Sequence, residues 1–150
     1  MGVEEVAELY GYAGKVLYVD LSKGEVSVKP LDLGYAESLI GGFGVNNRIA
    51  YEAAPAGVDP LAPESVVIFG AGPLNGTLAP GAAKIHVTAK MPLTGLYGTS
   101  GGGGGFAAQL KFAGYDHLVV TGRADKPTYI SIEDDEVRLK DAGDLWGGMI

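Results

Sequence analysis

The sequence predicts an α+β fold, with a mixed, largely antiparallel sheet and a few short helices. Short runs of alternating apolar residues open and close the chain, and two stretches with helical apolar spacing lie between them. The order of strands, helix and further strands lacks the regular βαβ alternation of a parallel sheet.

Taken in order, Val16 to Leu21 and Glu25 to Lys29 read as two strands joined by a tight turn at Lys23-Gly24. Tyr35 to Ile40 has short helical character, broken by Gly41-Gly42-Phe43-Gly44. Val45 to Ala54 resumes it, with Val45, Ile49 and Ala50 on one face. Asp59-Pro60-Leu61-Ala62-Pro63-Glu64 is a stiff connector, because proline disfavours helix at itself and in the residue before it. Val66 to Phe69 is a short buried strand, Lys84 to Ala89 another, and Leu96 to Gly98 a third. Phe106 to Phe112 reads as a helix ended by Gly114. His117 to Thr121, Thr128 to Ile132 and Glu136 to Lys140 close the pattern as strands, the last two joined at Asp134-Asp135. The ending Asp144 to Ile150 has no charged tail, which predicts that the chain finishes inside a natural domain.

A length of 150 residues with 47% hydrophobic and 19% charged content suits one globular domain. The 25 glycines are far above the roughly 7% of average proteins, so much backbone lies in tight turns or is closely approached. A net charge of -7 argues against general binding to nucleic acid or anionic membranes, which need surplus Lys and Arg. No apolar run approaches the roughly 20 residues that cross a bilayer, and the acidic start Met1 to Glu8 lacks the features of a secretion signal. The expectation is a soluble, cytoplasmic protein. With no cysteine, the chain itself carries no disulfide, thiolate zinc site or iron-sulfur cluster. Its two separated histidines show no metal-ligand spacing.

The most informative feature for chemistry is a gap in the acids. No Asp or Glu lies between Glu64 and Asp116, although ten acidic residues precede Ser65 and eight follow Tyr115. The window holds Lys84, Lys90 and Lys111 and many glycines, so it is locally cationic and rich in accessible backbone N–H groups, a combination suited to phosphate-like ligands. A glycine-rich structural core that happens to lack acids would give the same composition. Within the window, Thr99-Ser100-Gly101-Gly102-Gly103-Gly104-Gly105 leads into the Phe106 to Phe112 helix, whose first N–H groups are unpaired. Five glycines in a row carry a large ordering cost, which a ligand-packed setting makes understandable.

Two familiar fingerprints fail. In Gly70-Ala71-Gly72-Pro73-Leu74-Asn75-Gly76 the third glycine falls one place late for a dinucleotide-binding turn, and Pro73 to Pro80 cannot make the required helix. No Gly-Lys-Ser or Gly-Lys-Thr exists for a Walker motif. His86 and His117 each read as a satisfied structural histidine and receive no role. Arg48 either points at a ligand from the helix after the Gly41 to Gly44 loop or covers a solvated helix face.

The hairpin Gly14 to Lys29, Ile40-Gly41-Gly42-Phe43-Gly44, Asp59 to Glu64, Gly72-Pro73-Leu74-Asn75-Gly76-Thr77, Lys90-Met91-Pro92-Leu93-Thr94-Gly95 and Leu110-Lys111-Phe112-Ala113-Gly114-Tyr115-Asp116 together resemble the N-terminal domain of tungsten-containing aldehyde ferredoxin oxidoreductases. Gly41-Gly42-Phe43-Gly44-Val45-Asn46 also resembles the branch with the tungsten subunit of benzoyl-coenzyme A reductase. The resemblance implies that residues 1–150 form an N-terminal pterin-binding platform, barrel-like and cut short at its C-terminal end, beneath a tungsten or molybdenum bis-pterin. It implies that Lys84 and the segment Thr99, Ser100, Gly101, Gly102, Gly103 and Gly104 contact the pterin or its phosphates. No catalytic residue or metal ligand is expected on the chain, and a [4Fe-4S] cluster belongs to domains absent from it. Implied partners are those remaining domains or subunits, ferredoxin and an aldehyde substrate, in a homo-oligomer. Two departures stand out. Lys84 occupies a place where relatives often carry arginine, without arginine's bidentate fork, and Gly101 stands where relatives can carry asparagine. The rival expectation is a non-enzymatic binding or assembly module that kept the platform fold.

Overall fold

A computed structural model describes residues 10–148; Met1 to Glu8 and the chain end at Ile150, both read above, lie outside the described residues. The chain opens with strands β1 (Lys15–Asp20) and β2 (Glu25–Pro30). The turn between them spans four residues and not two, because the Asp20 carboxylate accepts hydrogen bonds from the Ser22 (3.0 Å) and Lys23 (3.1 Å) amides. Helices α1 (Leu33–Leu39) and α2 (Phe43–Ala53) follow, then β3 (Val67–Gly70), β4 (Ile85–Lys90), β5 (Tyr97–Gly102), α3 (Phe106–Phe112), β6 (His117–Thr121), β7 (Thr128–Glu133) and β8 (Glu136–Asp141). The side chain of Asp32 starts α1 by accepting from the Tyr35 amide at 3.2 Å.

Six strands form one sheet in the order β2-β1-β6-β3-β4-β5. Only β1 and β6 run parallel; every other neighbouring pair is antiparallel. The α+β class with a mixed, largely antiparallel sheet therefore holds. Barrel closure does not, because β2 and β5 are edges with no strand pairing them among the described residues. The remaining two strands, β7 and β8, pair only with each other. Their apolar faces, Ile130 and Ile132 beside Val137 and Leu139, pack on the core against α3 instead of extending the sheet.

Period-two alternation sends successive side chains to opposite faces of the sheet and so makes two cores. Val16, Ile68 and Val119 face α1 and α2, meeting Ala36, Val45, Ile49 and Ala50. Leu17, Val19, Ile85 and Leu118 face the other way, toward Ala107 and Leu110 of α3. The segment before β1 is fastened by charge. Asp116, 1% exposed, accepts from the amides of Ala13 (3.0 Å) and Gly14 (2.7 Å) and pairs with Lys111, whose ammonium also donates to the Gly11 carbonyl at 2.7 Å. Lys111 and Asp116 are both almost fully buried, so each depends on the other to offset its desolvation.

The glycine run departs from the loop expected ahead of α3. Strand β5 extends through Gly101 and Gly102, which pair with His86 and Ile85, leaving Gly103 to Gly105 as the connection. Glycine has low intrinsic strand preference, and the ladder with β4 overrides it here.

Candidate functional site

The acid-free window folds into a trough along one end of the sheet. Its first part, a groove of about 540 Å³, runs between the Ile40–Gly44 loop and the Gly72–Asn75 turn, with Lys84 and His86 on its floor. Gly81 and Ala82 continue into a second concavity bounded by Thr77, Leu78, Phe112 and Gly104-Gly105. Neither part is lined by a carboxylate, so the trough keeps the charge character that the sequence window predicted.

Local chemistry shapes the walls. Ile40 ends α1 with φ 66, a conformation costly for a β-branched residue, and its carbonyl accepts from the Tyr12 hydroxyl at 2.5 Å. Gly42, at φ 47, lies so close to the groove floor that a Cβ there would stand 3.1 Å from Cδ2 of His86. On the opposite wall, the Asn75 side chain ties its turn together, accepting from the Gly72 amide at 2.6 Å and donating to the Ala82 carbonyl at 3.0 Å.

Of the three lysines in the window, only Lys84 has no side-chain hydrogen bond or ion pair with any described residue. Lys90 donates to the Val58 carbonyl at 2.6 Å, and Lys111 is committed to Asp116. Arg48, a ligand candidate in the sequence, lies on the solvated face: it pairs with Glu52 at 2.6 Å and sits over the Tyr35 ring at 5.4 Å. The cationic character of the site thus reduces to one exposed ammonium.

Thr99, Ser100, Gly101 and Gly102 lie on β5, an edge strand, so alternate backbone N–H groups there face away from the sheet. The Thr99 hydroxyl turns inward to Thr88 at 2.9 Å, leaving its backbone and not its side chain for the site. Gly101 lies beside Lys84: a Cβ built on it would be 3.9 Å from the lysine Cδ. Gly103 and Gly104 continue toward α3, which begins at Gly105 without a side-chain cap. Lys84 and the glycine strand are therefore brought together, while Gly104, and not Gly103, lines the second concavity.

These glycines differ from Gly41, Gly42 and Gly44 on the first wall, where a Cβ would meet atoms at 3.2, 3.1 and 2.5 Å. A Cβ at Gly103 or Gly105 would meet nothing within 4 Å, and at Gly101 or Gly102 only ordinary contacts; within the run only Gly104 has positive φ. Apart from the backbone of Gly104, nothing among the described residues forbids side chains there. A flat, side-chain-free strip with outward amides beside an unpartnered lysine fits a bulky anionic ligand lying against the backbone.

Beneath the site lies a buried polar node. Asn46, fully buried, donates to the Ile68 (3.2 Å) and His86 (2.9 Å) carbonyls and to Thr88 (3.3 Å). Its carbonyl meets Nδ1 of His117 at 2.8 Å. With the Asn46 amide already donating, His117 carries its proton on Nδ1. Burial pushes the His117 pKa down to about 4; nearby Asp116 opposes that shift and Lys111 adds to it. His117 is thus the satisfied structural histidine expected. His86 is not, for its ring lines the groove with no hydrogen bond to any described residue. The missed signal was its spacing, two residues along a strand from Lys84 and so on the same face.

Residues 16–150 match the family described as "Aldehyde ferredoxin oxidoreductase, N-terminal domain". The chain belongs to that family. It is 42% identical over 139 residues to the tungsten-containing aldehyde ferredoxin oxidoreductase of Pyrococcus furiosus, covering 93% of this chain and 23% of that protein. Its identity to the enzyme of the same name from Thermococcus kodakarensis is 41% over 142 residues, or 95% of this chain and 24% of the relative. Among solved structures, it superposes with a TM-score of 0.89 and 38% identity on a chain of the active-site complex BamBC of benzoyl-coenzyme A reductase with 1,5-dienoyl-CoA. That match covers 92% of this chain and 21% of the other. Both branches named from the sequence are represented, and the chain spans about a quarter of the length of these family members. No helix among the described residues is long and apolar enough to cross a membrane.

Proposed function

We propose that this chain is the cofactor-cradling domain of a tungsten- or molybdenum-dependent oxidoreductase that interconverts aldehydes and carboxylic acids. The observation that carries the reading is Lys84, the one unpartnered ammonium in an acid-free trough, placed beside the side-chain-free end of β5 at Gly101 and Gly102. When bound, the tungsten (or molybdenum) bis-pterin supplies the redox chemistry. The work of this chain is binding and orientation.

The Lys84 ammonium offers up to three donors to phosphate oxygens. The alternate outward amides along Thr99, Ser100, Gly101 and Gly102, with those near Gly103 and Gly104, offer further donors to an anion that can approach the backbone closely. Exposed Ile40, Phe43, Leu74 and Leu78 give the organic part of the ligand apolar surface to cover. In this reading the side chains of the trough bind and orient the cofactor. Catalysis then requires the remaining domains or subunits, which in this reading carry the [4Fe-4S] cluster and meet ferredoxin and the aldehyde. A homo-oligomer in the cytoplasm completes the reading.

The test is Lys84→Ala in the full-length enzyme, with bound pterin and tungsten measured per polypeptide. The expected result is a clear loss of both, with Lys84→Arg restoring occupancy through its fork. Unchanged cofactor content in the alanine variant would remove Lys84 from the site.

A further inference from the structure

We propose that His86 is a second ligand-contacting side chain of the trough, which together with Lys84 grips one phosphate group of the bound organic ligand over the bare backbone of Gly101. The inference rests on the reading that the trough holds a phosphate-bearing cofactor, and adds to it a residue outside the glycine strip.

The ring lies between two glycines. Its Cδ2 edge lies against Gly42, where a Cβ would stand 3.1 Å away, so any side chain there would push the ring from this place by a few tenths of an ångström. Its other edge faces Gly101: a Cβ built there would be 3.8 Å from Cε1 and 3.9 Å from Nδ1 of His86, and 3.9 Å from Cδ of Lys84. Lys84 and His86 therefore flank the same side-chain-free spot. The backbone beneath is fixed as well, because the His86 carbonyl accepts from Asn46 at 2.9 Å and residue 86 is in register with Gly70 and Gly101 in the sheet.

The contrast between the two histidines gives this placement its meaning. His117 has its ring nitrogen satisfied inside the protein, while the ring of His86 has no protein partner among the described residues and opens on the groove. An unsatisfied imidazole on a fixed backbone, beside an unsatisfied ammonium and with no carboxylate lining the groove, is arranged for an acceptor-rich ligand. A phosphate ester, with several acceptor oxygens, can take both donors at once.

Two variants of the full-length enzyme, purified with its other domains, separate ligand contact from packing. His86→Phe keeps a flat ring against Gly42 and removes both nitrogens; His86→Gln keeps a hydrogen-bonding group and loses the ring. The readout is the rate at which pterin and tungsten are lost on dilution, with Lys84→Ala run in parallel. Loss of a charge-assisted hydrogen bond predicts that H86F releases cofactor about tenfold faster than wild type. H86Q should stay within about threefold, since its amide still donates. Wild-type retention in H86F, loss confined to H86Q, or equal loss in both overturns the proposal in favour of packing. If H86F retains cofactor while K84A loses it, only the His86 inference fails; if neither variant loses it, the trough reading fails as well.

Discussion

Around Gly70 the chain's own atoms leave no room for a methyl group, whereas around Gly103 nothing lies within 4 Å of where one would stand. A Cβ on Gly70 would fall 2.1 Å from Oδ1 of Asn46 and 2.6 Å from Nδ1 of His117. The first glycine is thus required by internal packing, through the node that joins α2 to β3, β4 and β6. The second is required by nothing described in the chain. If both glycines are needed, the reasons differ: one need is folding, and the other lies in what approaches the trough from outside. Substitutions in the two regions should therefore separate stability from cofactor retention.

The largest effect is expected at the buried ion pair flanking the internally determined region. Asp116→Ala strands the Lys111 ammonium and unties the Ala13 and Gly14 amides, and removing one partner of a buried pair costs about 3–5 kcal/mol. Thermal unfolding of the full-length protein should show this domain melting first, and hydrogen exchange should place early opening at the segment before β1. Wild-type protection there would mean that the pair contributes little.

Next comes Gly70→Ala, expected to cost about 3 kcal/mol, because the added methyl must overlap the Asn46 carbonyl or break its bond to His117. Denaturant unfolding checks it. A midpoint within experimental error of wild type would show that the node relaxes freely, and the contrast with Gly103 would lose its basis.

The same node predicts a pH dependence. His117 has a folded pKa of about 4, below the roughly 6.5 of an unfolded histidine, so the unfolded chain binds the extra proton between those values. Its contribution is present in full above about pH 6.5 and is lost as pH falls toward 4, amounting to roughly 2–3 kcal/mol. Unfolding midpoints of wild type and His117→Gln, compared at several pH values in that window, should converge as the solution is acidified. Parallel curves would mean that His117 does not titrate with folding.

How much of this contrast the sequence carried depends on the range of the interactions. The β1–β2 hairpin, α2 and α3 were readable because periodicity is local. The full length of β5 was not, since glycines have no periodicity and the strand is defined by its pairing with β4. The Asn46–His117 bond joins residues 71 apart, and Lys90 reaches a carbonyl 32 residues away; neither partner is visible in a window of sequence. Lys111 and Asp116 are only five apart, so their pairing was legible in principle. For the site, the absence of acids located the trough, because a charge pattern survives folding. It also overstated the free charge, because two of the three lysines are used by the fold.

The smallest effect on folding, and the sharpest test of the contrast, belongs to Gly103→Ala. The position has ordinary φ and open surroundings, so a methyl group leaves stability within about 0.5 kcal/mol of wild type or raises it slightly by restricting the unfolded chain. Retention of pterin and tungsten should nonetheless fall, because the methyl occupies the surface against which the ligand would lie. The two readouts together carry the weight. Loss of cofactor at unchanged stability assigns the glycine run to an external partner. Unchanged retention would leave a run of glycines with no internal demand and no ligand, and would count directly against the trough as the cofactor's seat.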